Sequence, residues 1–166
     1  MRYFVCLFGT TGCGISEGLQ RRYEALPRGR GLEFAWQELG APAADNSRHA
    51  LALVAWDDPW GDPLVASTGD HVAVGVVRLD NREDIERLAE CVGEPVPDLE
   101  LVRRAVVRRG PACIGRLLGD FAFVVWDGHA RTVTAATDAF ATKKLYYAER
   151  DGIIAFASRA EALALE

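Results

Sequence analysis

Leu117-Leu118-Gly119-Asp120-Phe121-Ala122-Phe123-Val124-Val125-Trp126-Asp127 is the stretch of this 166-residue chain that says most about its fold. From Phe121 to Trp126 the run is apolar without a break. A strand with one wet face alternates, so an unbroken apolar run of this length reads as a strand covered on both faces. Asp127-Gly128-His129-Ala130 has the composition of a hairpin turn, and the β-branched and small residues Thr132 to Thr137 return from it. Further on, Leu145 to Ala148 and Ile153 to Ala157 flank Arg150-Asp151-Gly152, whose Asp-Gly pair is a strong hairpin signal.

Working back from this run, Ala112 to Leu117 reads as a short helix. Before it, Leu99, Val102 and Val106 recur at helical spacing, with Arg103, Arg104, Arg108 and Arg109 on or beside the other face. Asp98 is expected to cap this helix, and Gly110-Pro111 stops it. An earlier helix reaches from a cap at Asp80 to about Cys91, with Glu83 three residues on as in a capping box, and Ile85 and Leu88 on its apolar face. Val65–Ala66 and His71–Leu79 read as strands around a turn at Ser67-Thr68-Gly69-Asp70. Tyr3–Phe8 and Ala50–Trp56 are apolar strands, residues 10–18 a loop and residues 19–26 a helix. Glu33 to Asp45 gives no clear period, and Glu161 to Leu165 begins a terminal helix. Strands around a helix pair indicate an α+β layered domain.

The bulk composition narrows the function classes. At 49% hydrophobic and 26% charged, 166 residues suit a single globular domain, residues 1–166. A net charge of −5 speaks against a nucleic-acid or anionic-membrane surface, which needs clustered positive charge. No apolar run approaches the roughly 18 residues of a membrane span, and a cytoplasmic location is expected. Cys6, Cys13, Cys91 and Cys113 form no CxxC or Cys/His cluster, so isolated buried thiols are expected, with no metal site and no cofactor.

Four blocks in the last third carry a family resemblance. They are Asp98-Leu99-Glu100, Gly119 to Asp127, Thr137-Asp138-Ala139-Phe140-Ala141-Thr142-Lys143-Lys144-Leu145-Tyr146-Tyr147, and Phe156-Ala157-Ser158-Arg159-Ala160-Glu161-Ala162-Leu163. In this order they resemble the D-x-E, G-x-F-A-F-x-x-W-D, R-D-P-F-G-x-K-P-L-Y-Y and F-A-S-E-x-K-A-L blocks of the class II glutamine amidotransferase domain of asparagine synthetase. Upstream, Arg78-Leu79-Asp80-Asn81-Arg82-Glu83 is similar to the family's N-G-E-I-Y-N-x-R-E-L. The wording is closer to the degenerate domains of lasso-peptide cyclases and β-lactam synthetases. The resemblance implies the N-terminal-nucleophile hydrolase fold, a four-layer αββα sandwich. It also implies a chemistry in which an N-terminal cysteine is the nucleophile and its own α-amine the base. An Asn-Gly pair supplies the oxyanion hole, and an Arg and an Asp hold glutamine.

The chain departs from that pattern where the chemistry is done. Arg2 stands at the nucleophile position, and Cys6 lies four residues further along. Aligning Arg82-Glu83 with the family's R-E places Gly75-Val76 where Asn-Gly belongs, without the side-chain donor. Asp98 matches the ligand of the substrate amine, and Arg48 lies near the carboxylate-binding arginine. The family's ATP-binding synthetase domain, with its S-G-G-x-D-S loop, is absent from these residues.

The expectation is therefore a catalytically degenerate domain, scaffold or regulator of an ATP-dependent amide-forming ligase, in the style of peptide natural-product maturation. Its partners would be that ligase, a peptide substrate or a second copy of the chain. Two alternatives stay open: a glutaminase or amidase with the displaced nucleophile Cys6, and an amino-acid-binding module around Asp98. Trp56 and Trp60, beside a proline-rich turn, are candidates for a partner surface.

Overall fold

The computed structural model describes residues 3–9, 15–24, 33–38, 50–56 and 65–163; within these, the side chains described are those of residues 4–9, 15–19, 21–23 and 65–163. Its elements are β1 (Tyr3–Gly9), α1 (Glu17–Glu24), β2 (Glu33–Glu38), β3 (Ala50–Trp56), β4 (Val65–Thr68), β5 (His71–Leu79), α2 (Arg82–Ala89), α3 (Asp98–Arg109), β6 (Gly119–Asp127), β7 (Thr132–Thr137), β8 (Tyr146–Arg150) and β9 (Ile153–Ala157). Two 3-10 turns, Pro111–Arg116 and Ala160–Leu163, complete them. The chain forms two compact units, Gly61–Lys144 and the segments on either side of it.

The unit holding both ends of the chain is built on an antiparallel sheet of order β2-β3-β1-β9-β8. β1 is its middle strand, and Phe4 to Phe8 are all buried. The pleat sends Val5 and Leu7 to one face, where they pack with Ile15, Tyr23, Ala155, Ala157 and Ala162. It sends Phe4, Cys6 and Phe8 to the other, where Phe8 meets Phe156 edge-on at 5.9 Å. α1 starts two residues earlier than its apolar spacing indicates, because the Ser16 hydroxyl accepts the Leu19 N–H (3.2 Å) as an N-cap. β2 forms where the sequence shows no clear period. It pairs with β3 from Glu33↔Trp56 to Glu38↔Leu51, so a partner strand supplies what local pattern does not.

The unit spanning Gly61–Lys144 carries the antiparallel sheet β4-β5-β6-β7. β5 and β6 pair residue for residue from His71↔Asp127 to Leu79↔Gly119. Ala73, Val77 and Leu79 of β5 and Phe121, Phe123 and Val125 of β6 share one core with Ile85 and Ala89 of α2 and Leu99, Val102, Ala105 and Val106 of α3. The alternate residues Val72, Val74, Ala122, Val124 and Trp126 are buried as well. Both faces of β6 are thus covered, as its unbroken apolar run requires, and the α+β reading holds. Among the described residues, no helix is long and apolar enough to cross a membrane.

Two helix starts differ from expectation. α2 begins at Arg82, after Asn81, with no side-chain cap, and the Asp80 capping box does not form. Asp80 pairs with Arg78 instead. The Asn81 amide donates to the Arg116 carbonyl (2.9 Å) and accepts the Leu118 N–H (3.0 Å). α3 is preceded by Pro97, again without a side-chain cap, because the Asp98 carboxylate turns away towards β5. Arg103, expected towards solvent, is only 5% exposed. Its guanidinium grips Glu100 with two 2.7 Å bonds and donates to the Thr68 hydroxyl at 3.0 Å. Burial alone would push the Glu100 pKa up, but bonds from Arg103 and Arg104 outweigh it and hold the carboxylate below its ordinary range.

Candidate functional site

Cys6 lies in mid-strand, between Ala52 of β3 and Phe156 of β9, and has no exposed surface. Burial pushes its thiol pKa far up, so it is protonated at neutral pH. A nucleophilic cysteine needs the opposite setting, partly exposed and close to a base or positive charge. Cys91 and Cys113 are likewise buried free thiols. Arg2, Cys13, Arg48 and Trp60 lie outside the described residues, and so does the side chain of Trp56.

Asp98 is the best-connected of the nominated residues. One of its carboxylate oxygens accepts the Leu79 N–H at 2.8 Å, and the other pairs with Arg82. Arg82 is fully committed, since it also donates to Glu86 (2.9 Å) and to the Val96 carbonyl (2.6 Å). The Asp98 side chain is 16% exposed. Its place at the first turn of α3 keeps its charge favourable to the helix dipole without a capping bond. The carboxylate thus fastens the end of β5 to the start of α3, and a ligand amine would have to compete with the Arg82 guanidinium for it.

Gly75 sits mid-strand opposite Phe123. A Cβ on it would stand 2.4 Å from the Ala122 carbonyl oxygen and 2.6 Å from the Phe123 Cα. The glycine is therefore required by the close approach of β6. Asp98 meets β5 at Leu79, four residues further on, roughly 13 Å along a strand. Gly75 and Asp98 share a unit but do not converge on one point, and Cys6 belongs to the other unit.

The Asp138 block is organised around a buried carboxylate. Asp138 is 5% exposed and accepts the N–H groups of Phe121 (3.3 Å), Phe140 (3.1 Å), Thr142 (3.0 Å) and Lys143 (3.1 Å). The bond from Thr142 leads the causes that hold its pKa well below the carboxylate range, with those from Lys143 and Phe121 adding to it. The loop this fixes presents Phe140, 91% exposed. Ala141 stands in it with φ +50°, at the position of the glycine in the R-D-P-F-G block. Asp127 starts the β6–β7 turn as expected, accepting the N–H groups of His129 (3.0 Å) and Ala130 (2.9 Å).

Two features escaped sequence reasoning. A cleft of ≈ 560 Å³ lies between α1 and the β8–β9 hairpin, with Leu19, Tyr23 and Ile153 in its lining and Arg22, Glu149, Arg150 and Asp151 as its charged members. No nominated residue lines it. The rings of His71 and His129 meet edge-on at 5.3 Å, with Asp127 3.4 Å from His71 and Asp70 3.8 Å from His129. Neither feature has a local motif, because each joins residues distant in sequence. Among the described residues, no group of three His, Cys, Asp or Glu side chains is placed to hold a metal ion.

A sequence model of the glutamine amidotransferase domain matches residues 52–165, more than half of the chain. No curated protein sequence matches. Among solved structures, the chain is similar to glutamine phosphoribosylpyrophosphate amidotransferase from B. subtilis, complexed with ADP and GMP. The TM-score is 0.64 at 14% identity, over 97% of this chain and 42% of that one. At that identity the likeness shows the fold, that of an N-terminal-nucleophile amidotransferase domain. The chain spans less than half the length of the protein it matches.

Proposed function

The chain belongs to the glutamine amidotransferase domain family, and from that premise we propose that it is a catalytically retired member, a scaffold or regulatory partner of an asparagine-synthetase-like, ATP-dependent amide-forming ligase. The observation that carries this reading is Cys6. It is the cysteine nearest the family's nucleophile position, yet it is enclosed in the middle of a sheet as a neutral thiol. Arg2, in the nucleophile position itself, has no attacking group. Position 75 offers no side-chain donor to an oxyanion, and loss of one such donor typically lowers a rate by ~10²–10³. Asp98, which would hold the substrate amine, is already bonded to Arg82 and Leu79. Each of the three family functions thus has its residue replaced or engaged elsewhere.

Ligases that close an amide with an amine of their own substrate have no use for ammonia from glutamine. The resemblance to lasso-peptide cyclases and β-lactam synthetases supports a reading in peptide natural-product biosynthesis, with the ligase as the proposed protein partner. An electrophilic glutamine analogue tests the retirement. A diazoketone of glutamine alkylates an active amidotransferase nucleophile and adds its mass, less dinitrogen, to the protein. The intact mass of this protein is expected to stay unchanged after prolonged exposure; an adduct mapped to Cys6 or to the amino terminus would overturn the reading.

A further inference from the structure

The two sheets have four outer strands, and three of them carry the features that usually keep an edge from pairing. β4 is only four residues long, β8 ends in the exposed charges Glu149 and Arg150, and β2 has Glu33 and Glu38 at its ends. Short length and charge are two of the common guards of a sheet edge, with proline and bulges. β7 has none of them. Thr132-Val133-Thr134-Ala135-Ala136-Thr137 has no charge and no proline, and it pairs one-for-one with β6 from Asp127↔Thr132 to Ala122↔Thr137, with no bulge. Among the described residues, no strand pairs with its outer edge.

We propose that β7 pairs antiparallel with β7 of a second copy of this chain, joining two four-stranded sheets across a two-fold axis. The row of outward N–H and C=O groups is matched by another strand and by little else. The charges choose the partner and its direction. At the carboxyl end of β7, Asp138 holds the loop that carries Phe140, Lys143 and Lys144. At the amino end stand Asp127, opposite Thr132, and Asp70, whose carbonyl accepts the Gly128 N–H at 2.8 Å. With Arg131 counted, that end is net negative. At the lysine end the charges balance, Lys143, Lys144 and Arg78 against Asp80, Asp120 and Asp138. A two-fold antiparallel pair sets that end of each copy against the aspartate end of the other, whereas a parallel pair would set the two negative ends together. Six residues span roughly 20 Å, and such an edge alone falls short of the ~1,200 Å² of a stable interface. The exposed Phe140 ring beside the strand end supplies apolar area for the facing copy to cover. This interface is separate from the amidotransferase reading and stands or falls independently of it.

Sedimentation of the purified chain over a range of concentrations, with amide hydrogen exchange at its two extremes, tests this. A closed dimer is expected, with protection rising with concentration at residues 132–137. Ala135→Lys places two cations beside each other across the pairing, at an exposed position that a monomer tolerates. It is expected to raise the dimer dissociation constant by up to about fivefold while leaving the melting temperature of dilute protein unchanged. The charge reversal Lys143→Glu with Lys144→Glu is expected to weaken the dimer too. A chain that stays monomeric, a dimer insensitive to Ala135→Lys, or protection that rises elsewhere would each overturn the proposal.

Discussion

Replacing Gly75 by alanine tests whether the close approach of β6 is what requires a glycine there. The new methyl carbon would stand 2.4 Å from the Ala122 oxygen and 2.6 Å from both Cα and Cβ of Phe123. Carbon contacts are comfortable at about 3.5–4.0 Å, so β5 must move away from β6 by roughly 1 Å. The obstacle is backbone and not a side-chain tip, so no rotamer change relieves it. The nine-residue ladder with β6 resists the movement. Overpacking a filled core costs about 1–3 kcal/mol, and this site belongs at the upper end. The lower backbone entropy of alanine in the unfolded chain returns about 0.4–1 kcal/mol. The net loss is about 2–3 kcal/mol, or about 4–12 °C in melting temperature for a protein of this size. Thermal unfolding followed by circular dichroism, checked by urea titration, measures it. A change within about 0.5 kcal/mol, the range of an unremarkable surface substitution, would refute the packing argument.

Asp98→Ala removes the partners of the Leu79 N–H and the Arg82 guanidinium together, so a loss of about 2 kcal/mol is expected in urea unfolding. If Asp98 is structural, millimolar glutamine or aspartate leaves the melting temperature of the unmodified protein unchanged, whereas a ligand of the native state would raise it. Ala141→Gly relieves a left-handed residue, worth about 1–2 kcal/mol, against the entropy glycine adds to the unfolded chain. A gain of up to about 1 kcal/mol is expected by the same unfolding assay, and a loss would contradict the loop geometry. Asp138 has its folded pKa below its unfolded value, so its contribution is fully present above the unfolded pKa of ~3.9 and fades as pH falls towards the folded value. The stability gap between the unmodified protein and Asp138→Asn is therefore expected to be constant from pH 7 to pH 5 and to shrink below about pH 4; a gap that widened with acid would contradict the sign.

The elements that could be read from sequence are those whose period already records their surroundings. Phe121 to Trp126 announced a strand covered on both faces, and Leu99, Val102 and Val106 announced the buried side of α3. Asp151-Gly152 marked the β8–β9 hairpin, and Gly110-Pro111 the end of α3. What failed depended on partners far along the chain. Asp80 and Asp98 have the composition and spacing of helix caps, but Arg78 and Leu79 draw them elsewhere, the second over nineteen residues of sequence. Arg103 has the spacing of a solvent-facing residue, but a helical wheel cannot show Glu100 and Thr68 meeting it in a buried pocket. β2 exists because β3 is there to pair with it.

The site was legible in a different way. The Asp98, Gly119–Asp127, Asp138 and Phe156 blocks identified the family before any coordinate, and the domain match agrees with them. The same alignment sets Arg2 and Gly75 against the family's nucleophile and oxyanion-hole asparagine, which is what the proposed retirement rests on. It did not show that Gly75 is held by Phe123 and not by a ligand, or that Asp98 already has two partners. Those facts are distances, and motif spacing does not contain them.

Ammonia release from glutamine tests retirement most directly, measured on purified protein of verified intact mass beside its Cys6→Ala variant. The account predicts no ammonia above a control without protein, and no difference between the two. Release that disappears with Cys6→Ala would make this chain a working glutaminase with a displaced nucleophile, and would contradict the burial argument at its base.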